Sequence, residues 1–215
     1  PVYEKLGEVR SWAATMGQIA DIFQPRGQLD QALRTRREEC LPVYQKLGDI
    51  LSRAVTMGKI ADIYRARGQL DDAMQIHCEE ELPVYEKIGN IRERAVAMGK
   101  IADILNMRGK PDEALRIRRE EQLPVFEKLG DVRSWAATMG KIADIYVARG
   151  RLDEALRILQ EECKPAFEKL GDIRSRAATM GNIADILKVH GQLDDAIRLY
   201  RQEELPVYER LEARH

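Results

Sequence analysis

Long apolar runs are missing from this 215-residue sequence. None approaches the roughly 18–20 residues that cross a bilayer, and no signal peptide is visible, so no membrane partner is expected. Cysteine is scarce and odd in number: Cys40, Cys78 and Cys163, with no CxxC pair. Neither a disulfide framework nor a zinc site follows, and a reducing cytoplasmic setting fits best. An excess of either charge is lacking too. The 35 basic and 36 acidic side chains leave a formal net charge of −1, whereas nucleic-acid binding needs a basic excess to displace counterions. The three histidines, His77, His190 and His215, are far apart in the sequence, so no HExxH or other paired metal spacing exists. No glycine-rich phosphate loop occurs. Cys40 and Cys163 have no neighbouring histidine to activate them. No catalytic residue, metal or cofactor is therefore assigned, and the chain reads as a non-enzyme.

What is present is material for helices. Apolar residues make up 44% and charged residues 33% of the chain, a balance that suits long helices with solvated faces. The run PVYEKLG at Pro1 recurs in close variants at Pro42, Pro83, Pro124 and Pro165, and as PVYERL at Pro206. A second block, MGxIADI, begins at Met16, Met57, Met98, Met139 and Met180. Every interval in both series is 41 residues. A stack of like units needs that register, because each unit docks on the next in the same way.

Each unit reads as two helices, and the second unit serves as the example. Asp49 after Gly48 is a good N-cap. Ala54, Met57, Ile60, Ala61 and Tyr64 then follow the spacing of an amphipathic helix, here helix A, which Gly68 ends. Helix B starts near Leu70–Asp71, carries Ala73, Ile76, Val84, Tyr85 and Ile88, and ends at Gly89. No strand-like alternation occurs. Pro83 and its equivalents lie deep inside helix B, where a proline lacks its N–H and clashes with the carbonyl four residues back, costing roughly 3 kcal/mol. A kink or one-residue bulge near Glu80–Pro83 is expected, with helix continuing beyond it; a complete break is the alternative. Runs such as Arg36-Arg37-Glu38-Glu39 and Glu79–Glu81 read as solvated faces, and His77 and His190 as surface residues.

The resulting division takes Pro1–Gly7 as the second half of a truncated helix B. Five repeats follow at 8–48, 49–89, 90–130, 131–171 and 172–211, with a tail at 212–215. The unfinished ends suggest a segment of a longer array.

The positions of Met57, Ile60, Ala61, Tyr64 and Ala73 resemble the large, small and tyrosine positions of a tetratricopeptide repeat. The units are most similar to long variants such as those of kinesin light chains and of the leucine-glycine-asparagine repeat proteins, whose triplet Ile60-Ala61-Asp62 resembles. The departures are the longer unit, the helix B proline, and a glutamate (Glu39, Glu80, Glu121, Glu162, Glu203) at the late small position. HEAT repeats, of similar length, rank second. The resemblance implies an all-α, right-handed α-solenoid of antiparallel helix pairs, with helices A lining a concave groove that holds a peptide.

On a helical wheel, the face of helix A opposite Met57, Ile60 and Tyr64 repeats as glycine and aspartate. Glycine costs ~1 kcal/mol there and aspartate up to ~0.7, so the pattern needs a reason. One reading is a ligand groove built from Gly58, Asp62, Arg65, Gly99, Asp103, Asn106, Gly140 and Asp144, with Lys59, Lys100 and Lys141 beside them. The other is packing, with the lysines as partners of the aspartates three residues on in the same helix. Flanking positions vary between units: Gln24, Arg65, Asn106, Val147 and Lys188 in one register. Trp12 and Trp135, replacing Arg53, Arg94 and Arg176, are further candidate anchors. The function expected is a scaffold that binds a protein or peptide partner, as part of a larger protein. The alternative is a structural array that self-associates head to tail through its unfinished ends.

Overall fold

The computed structural model describes residues 8–212; the reading of Pro1–Gly7 as half a helix lies outside them. The chain divides into two compact units, Pro1–Lys110 and Pro111–His215. The first holds α1 (Val9–Phe23), α2 (29–47), α3 (Ile50–Ala66), α4 (70–88) and α5 (Ile91–Met107). The second holds α6 (111–129), α7 (Val132–Ala148), α8 (152–169), α9 (Ile173–Val189) and α10 (193–212). Odd-numbered helices are helices A and even-numbered ones helices B. No strand occurs among the described residues, and each unit is a stretch of all-α solenoid.

Local chemistry sets the helix ends. Asp49 accepts the Ser52 N–H at 3.0 Å and the Ser52 hydroxyl at 2.8 Å, and the same N-cap is built by Asp131 with Ser134 and Asp172 with Ser175. The Ser52 N–H, with Arg10 alongside, holds the Asp49 carboxyl below its ordinary range. Gly48 ends α2 at φ +64°, where a side chain would be strained, and lets the Asp49 N–H return to the Tyr44 carbonyl at 2.9 Å.

The helix B prolines produce a bulge and not a break. Each helix B contains one π-helical turn immediately before the residue that precedes proline: Thr35–Cys40, His77–Glu81, Arg118–Gln122, Leu159–Cys163 and Tyr200–Glu204. In α4 the Leu82 N–H reaches back five residues to the His77 carbonyl, and the other four turns make the same bond. The extra residue absorbs the missing proline N–H and moves the carbonyl that its ring would strike. Helix then resumes to Ile88.

In the first unit, α3 is clasped between two helices B. Ile60, Ala61 and Tyr64 pack with Leu33 and Leu41 from α2 and with Ala73 and Met74 from α4. Ile63 packs with Ala20, Ala32 and Leu33. Polar latches cross the joints at fixed registers. Asp30 meets Arg67, Asp71 meets Arg108, and Asp112 meets Arg149 at 2.6 Å. Arg10 meets Asp49 at 2.8 Å and Arg133 meets Asp172 at 2.7 Å. Repeat 2 has Leu51 in place of that arginine, and the partner position is Asn90, so both charges are absent together. Such exposed pairs contribute about 0–1 kcal/mol each; their value is in fixing register. No helix among the described residues is long and apolar enough to cross a membrane.

Candidate functional site

In repeats 1, 2, 4 and 5 the π turn of helix B packs on its own helix A and carries two side chains, four residues apart, toward that helix's glycine–aspartate face. In repeat 1, Arg36 is buried and donates to Asp21 Oδ1 at 2.7 Å and to the Gly17 carbonyl at 3.3 Å. In repeat 2, His77 is 0% exposed and Glu81 4%. Nδ1 of His77 lies 2.6 Å from Glu81 Oε2, and the Tyr85 hydroxyl donates to Oε1 at 3.3 Å. In repeat 3, Arg118 donates to Gln122 at 3.0 Å, with both buried. Repeat 4 fills the same places with Leu159 and Cys163. In repeat 5, the Tyr200 hydroxyl donates to Asp185 at 2.7 Å, a bond that pushes the phenol up to about 12. Its companion Glu204 is raised by burial.

These residues correct the sequence reading. Arg36, His77 and Glu81 are not on solvated faces but inside the repeat; His190 is exposed as expected. Nor does the glycine face lie free. A Cβ on Gly58 would stand 2.2 Å from Glu81 Oε1, and one on Gly181 would stand 2.7 Å from Glu204 Oε1. Close packing therefore accounts for these two glycines. Gly99 is buried as well, but a Cβ on Gly140 meets nothing within 4 Å. Comparing the five units column by column, four and eight residues before the tyrosine or phenylalanine of each PVY-like run, would have exposed the variable pair.

The lysines also differ from expectation. Lys59 and Lys100 do not pair within their own helix but cross the joint to the preceding repeat. Lys59 Nζ is 3.4 Å from Asp21 Oδ1, and Lys100 Nζ is 3.0 Å from Asp62 Oδ2. The neighbouring helix offers a carboxylate closer than the same-helix one, which Arg65 approaches at 3.8 Å. Lys141 does pair locally, with Asp144 at 3.4 Å. Asp103 is half-buried and Asn106 exposed. Trp12 is half-buried against Cys40 and Tyr44, and Trp135 is half-buried near Phe126. Burial pushes the Cys40 thiol up to about 11 and the Cys163 thiol to about 12, so both stay protonated.

Between α7 and α9 the same face opens into a groove of about 320 Å³. Leu159 and Ile186 form its floor, Val147, Leu152 and Val189 its apolar walls, and Asp144, Asn182 and Asp185 its polar rim. No cluster of potential metal ligands occurs among the described residues.

Comparison with known proteins agrees with this architecture. Residues 135–161 match the tetratricopeptide repeat family model. The fold is similar to the nearly identical tetratricopeptide-like repeats of a kinesin light chain from Podosopora anserina, at 22% identity and a TM-score of 0.67, covering 91% of this chain and 95% of that one. It is also similar to BtubC (BKLC) from P. vanneervenii, at 19% identity and a TM-score of 0.76, covering 99% and 86%. A third match is a Signal Transduction ATPase with Numerous Domains with a tetratricopeptide repeat sensor, from Pyrococcus horikoshii, at 16% identity and a TM-score of 0.70. It covers 99% of this chain and 33% of that one. No curated protein matches the sequence significantly. The resemblance read from Met57, Ile60, Ala61 and Tyr64 is thus borne out.

Proposed function

We propose that this tetratricopeptide-like array is a protein-interaction scaffold that binds through helix A faces, around Gly58, Asp62, Arg65, Lys100, Asp103 and Asn106 in the first compact unit and around Asp144 in the second. The observation that carries this reading is selective variation. Latches, caps and π turns repeat almost unchanged, while the register Gln24, Arg65, Asn106, Val147 and Lys188 differs in every unit. Beneath it, the π-turn register also changes, from Arg36 to His77, Arg118, Leu159 and Tyr200. A uniform apolar pair would satisfy packing alone, since burying charge is costly. Varied groups on a repeated frame suit recognition of a partner of defined sequence. Replacing Asp62, Asp103 and Asp144 together by alanine is expected to abolish partner recovery on the immobilised chain without changing its helical circular dichroism. Undiminished recovery would remove the face from consideration.

A second reading, head-to-tail self-association, is favoured by a different observation. Ile60 and Ile63 are 1% and 0% exposed beneath the preceding helix B, whereas their repeat 1 equivalents Ile19 and Ile22 are 36% and 53% exposed. At the other end Leu193, Ile197 and Tyr208 are exposed. Leu193 and Ile197 are the equivalents of Leu29 and Leu33, which pack with Ile63 at an internal joint, and a second copy seated there would make a heterologous contact that propagates. Light scattering on this chain should show mass rising with concentration, and I19E/I22E should hold it monomeric. A constant monomer mass for the parent chain would rule the reading out.

A further inference from the structure

The joints of the array carry an internal template for what belongs in the groove between α7 and α9. At the joint between repeats 1 and 2, Lys59 reaches across to Asp21. Between repeats 2 and 3, Lys100 reaches across to Asp62. At the joint between repeats 4 and 5 the corresponding residue is Asn182, which lines the groove. Asp144 has lost a second cation as well. Asp21 receives Arg36 from its own helix B, and Asp185 receives the Tyr200 hydroxyl, but the residue in that register beside Asp144 is Leu159. What remains to Asp144 is Lys141, at 3.4 Å and more than half exposed. Leu159, which stands where Arg36 stands beside Asp21, also leaves an apolar floor under Asp144, and Val147 and Val189 extend that surface outward.

We infer that this groove takes, from a protein partner, an aliphatic side chain adjoining a cationic one, the ammonium or guanidinium meeting Asp144 where a lysine of the chain itself would otherwise lie. The inference deepens the scaffold reading and rests on the helix A face being a binding surface. The volume of about 320 Å³ accommodates one branched aliphatic side chain with its neighbour, and the carboxylate selects against an anionic segment. An apolar slot beneath a carboxylate with no partner from another helix fixes both the place and the charge of the ligand.

The test uses leucinamide, which carries an isobutyl group and an ammonium, titrated into the isotopically labelled 215-residue chain. Saturable amide shifts are expected at Val147, Asn182 and Val189. Asp144→Asn, or the neutral probe N-acetyl-leucinamide, should weaken binding about fivefold, as loss of one partly exposed charge contact does. Asn182→Lys, which restores the lysine of the other joints, should abolish the shifts while the fold is kept. Asp21→Asn should leave the affinity unchanged. Absence of saturable shifts, equal affinity for the neutral probe, or full binding to the Asn182→Lys chain would each overturn the assignment. If leucinamide fails while the Asp62, Asp103 and Asp144 triple substitution still abolishes partner recovery, this groove is wrong and the scaffold reading stands. If both fail, the helix A face itself is wrong.

Discussion

Leucine in place of His77 is expected to cost about 3–5 kcal/mol, because it removes the partner of a buried carboxylate and supplies nothing in return. Glu81 is 4% exposed and its nearest other contacts are the Tyr85 hydroxyl at 3.3 Å and Lys100 Nζ at 4.0 Å. Adding Glu81→Cys to the same chain should recover most of the loss. The double variant reproduces the Leu159 and Cys163 pair, which the identical register of repeat 4 already accommodates with both side chains buried. Replacing a whole buried polar pair by apolar residues is often neutral or stabilising by 1–4 kcal/mol, in contrast to breaking it. Urea denaturation of the parent, single and double variants measures this directly. A single variant that unfolds at the parent midpoint, or a double variant as weak as the single, would contradict the account.

Opposite signs are expected from one substitution made at two equivalent places. Gly58→Ala puts a methyl group 2.2 Å from Glu81 Oε1 and 2.5 Å from its Cδ. The carboxylate has nowhere to retreat, held as it is by His77 and Tyr85. A loss of about 1–3 kcal/mol follows, as for other overpacked sites. Gly140→Ala meets nothing within 4 Å, and the helix gains the propensity difference between glycine and alanine, up to ~1 kcal/mol. Thermal melts of the two variants should move in opposite directions. A shared sign would mean that helix propensity alone, or packing alone, governs the register.

What the sequence made legible was whatever depends on near neighbours. The period, the helix pair, the Asp49 cap, the Gly48 and Gly68 endings and the bulge before Pro83 all follow from residues within a turn or two of one another. The burial of Arg36, His77 and Glu81 did not. A π turn inserts one residue, about 100° of rotation, so a single 3.6-residue wheel drawn through helix B assigns the wrong face to the residues around it. The partners of Lys59 and Lys100 escaped for another reason. A wheel sees one helix, and the competing carboxylate sits on the next one. In the candidate site, the glycines and aspartates were visible as a pattern, but the side chains lying on them came from a helix whose phase was misread.

The π turn also explains why five units agree to the residue in length. In an ordinary surface helix, one residue added or lost is a slip that the chain can relax by rewinding. Here the proline that follows forbids the rewound form, because straightening the turn would drive its ring into a carbonyl. The two halves of each helix B are thus geared to one another at a fixed angle. Substitution is cheap in such a mechanism, and a changed tooth count is not. Residue identity therefore differs from unit to unit while every interval stays at 41 residues.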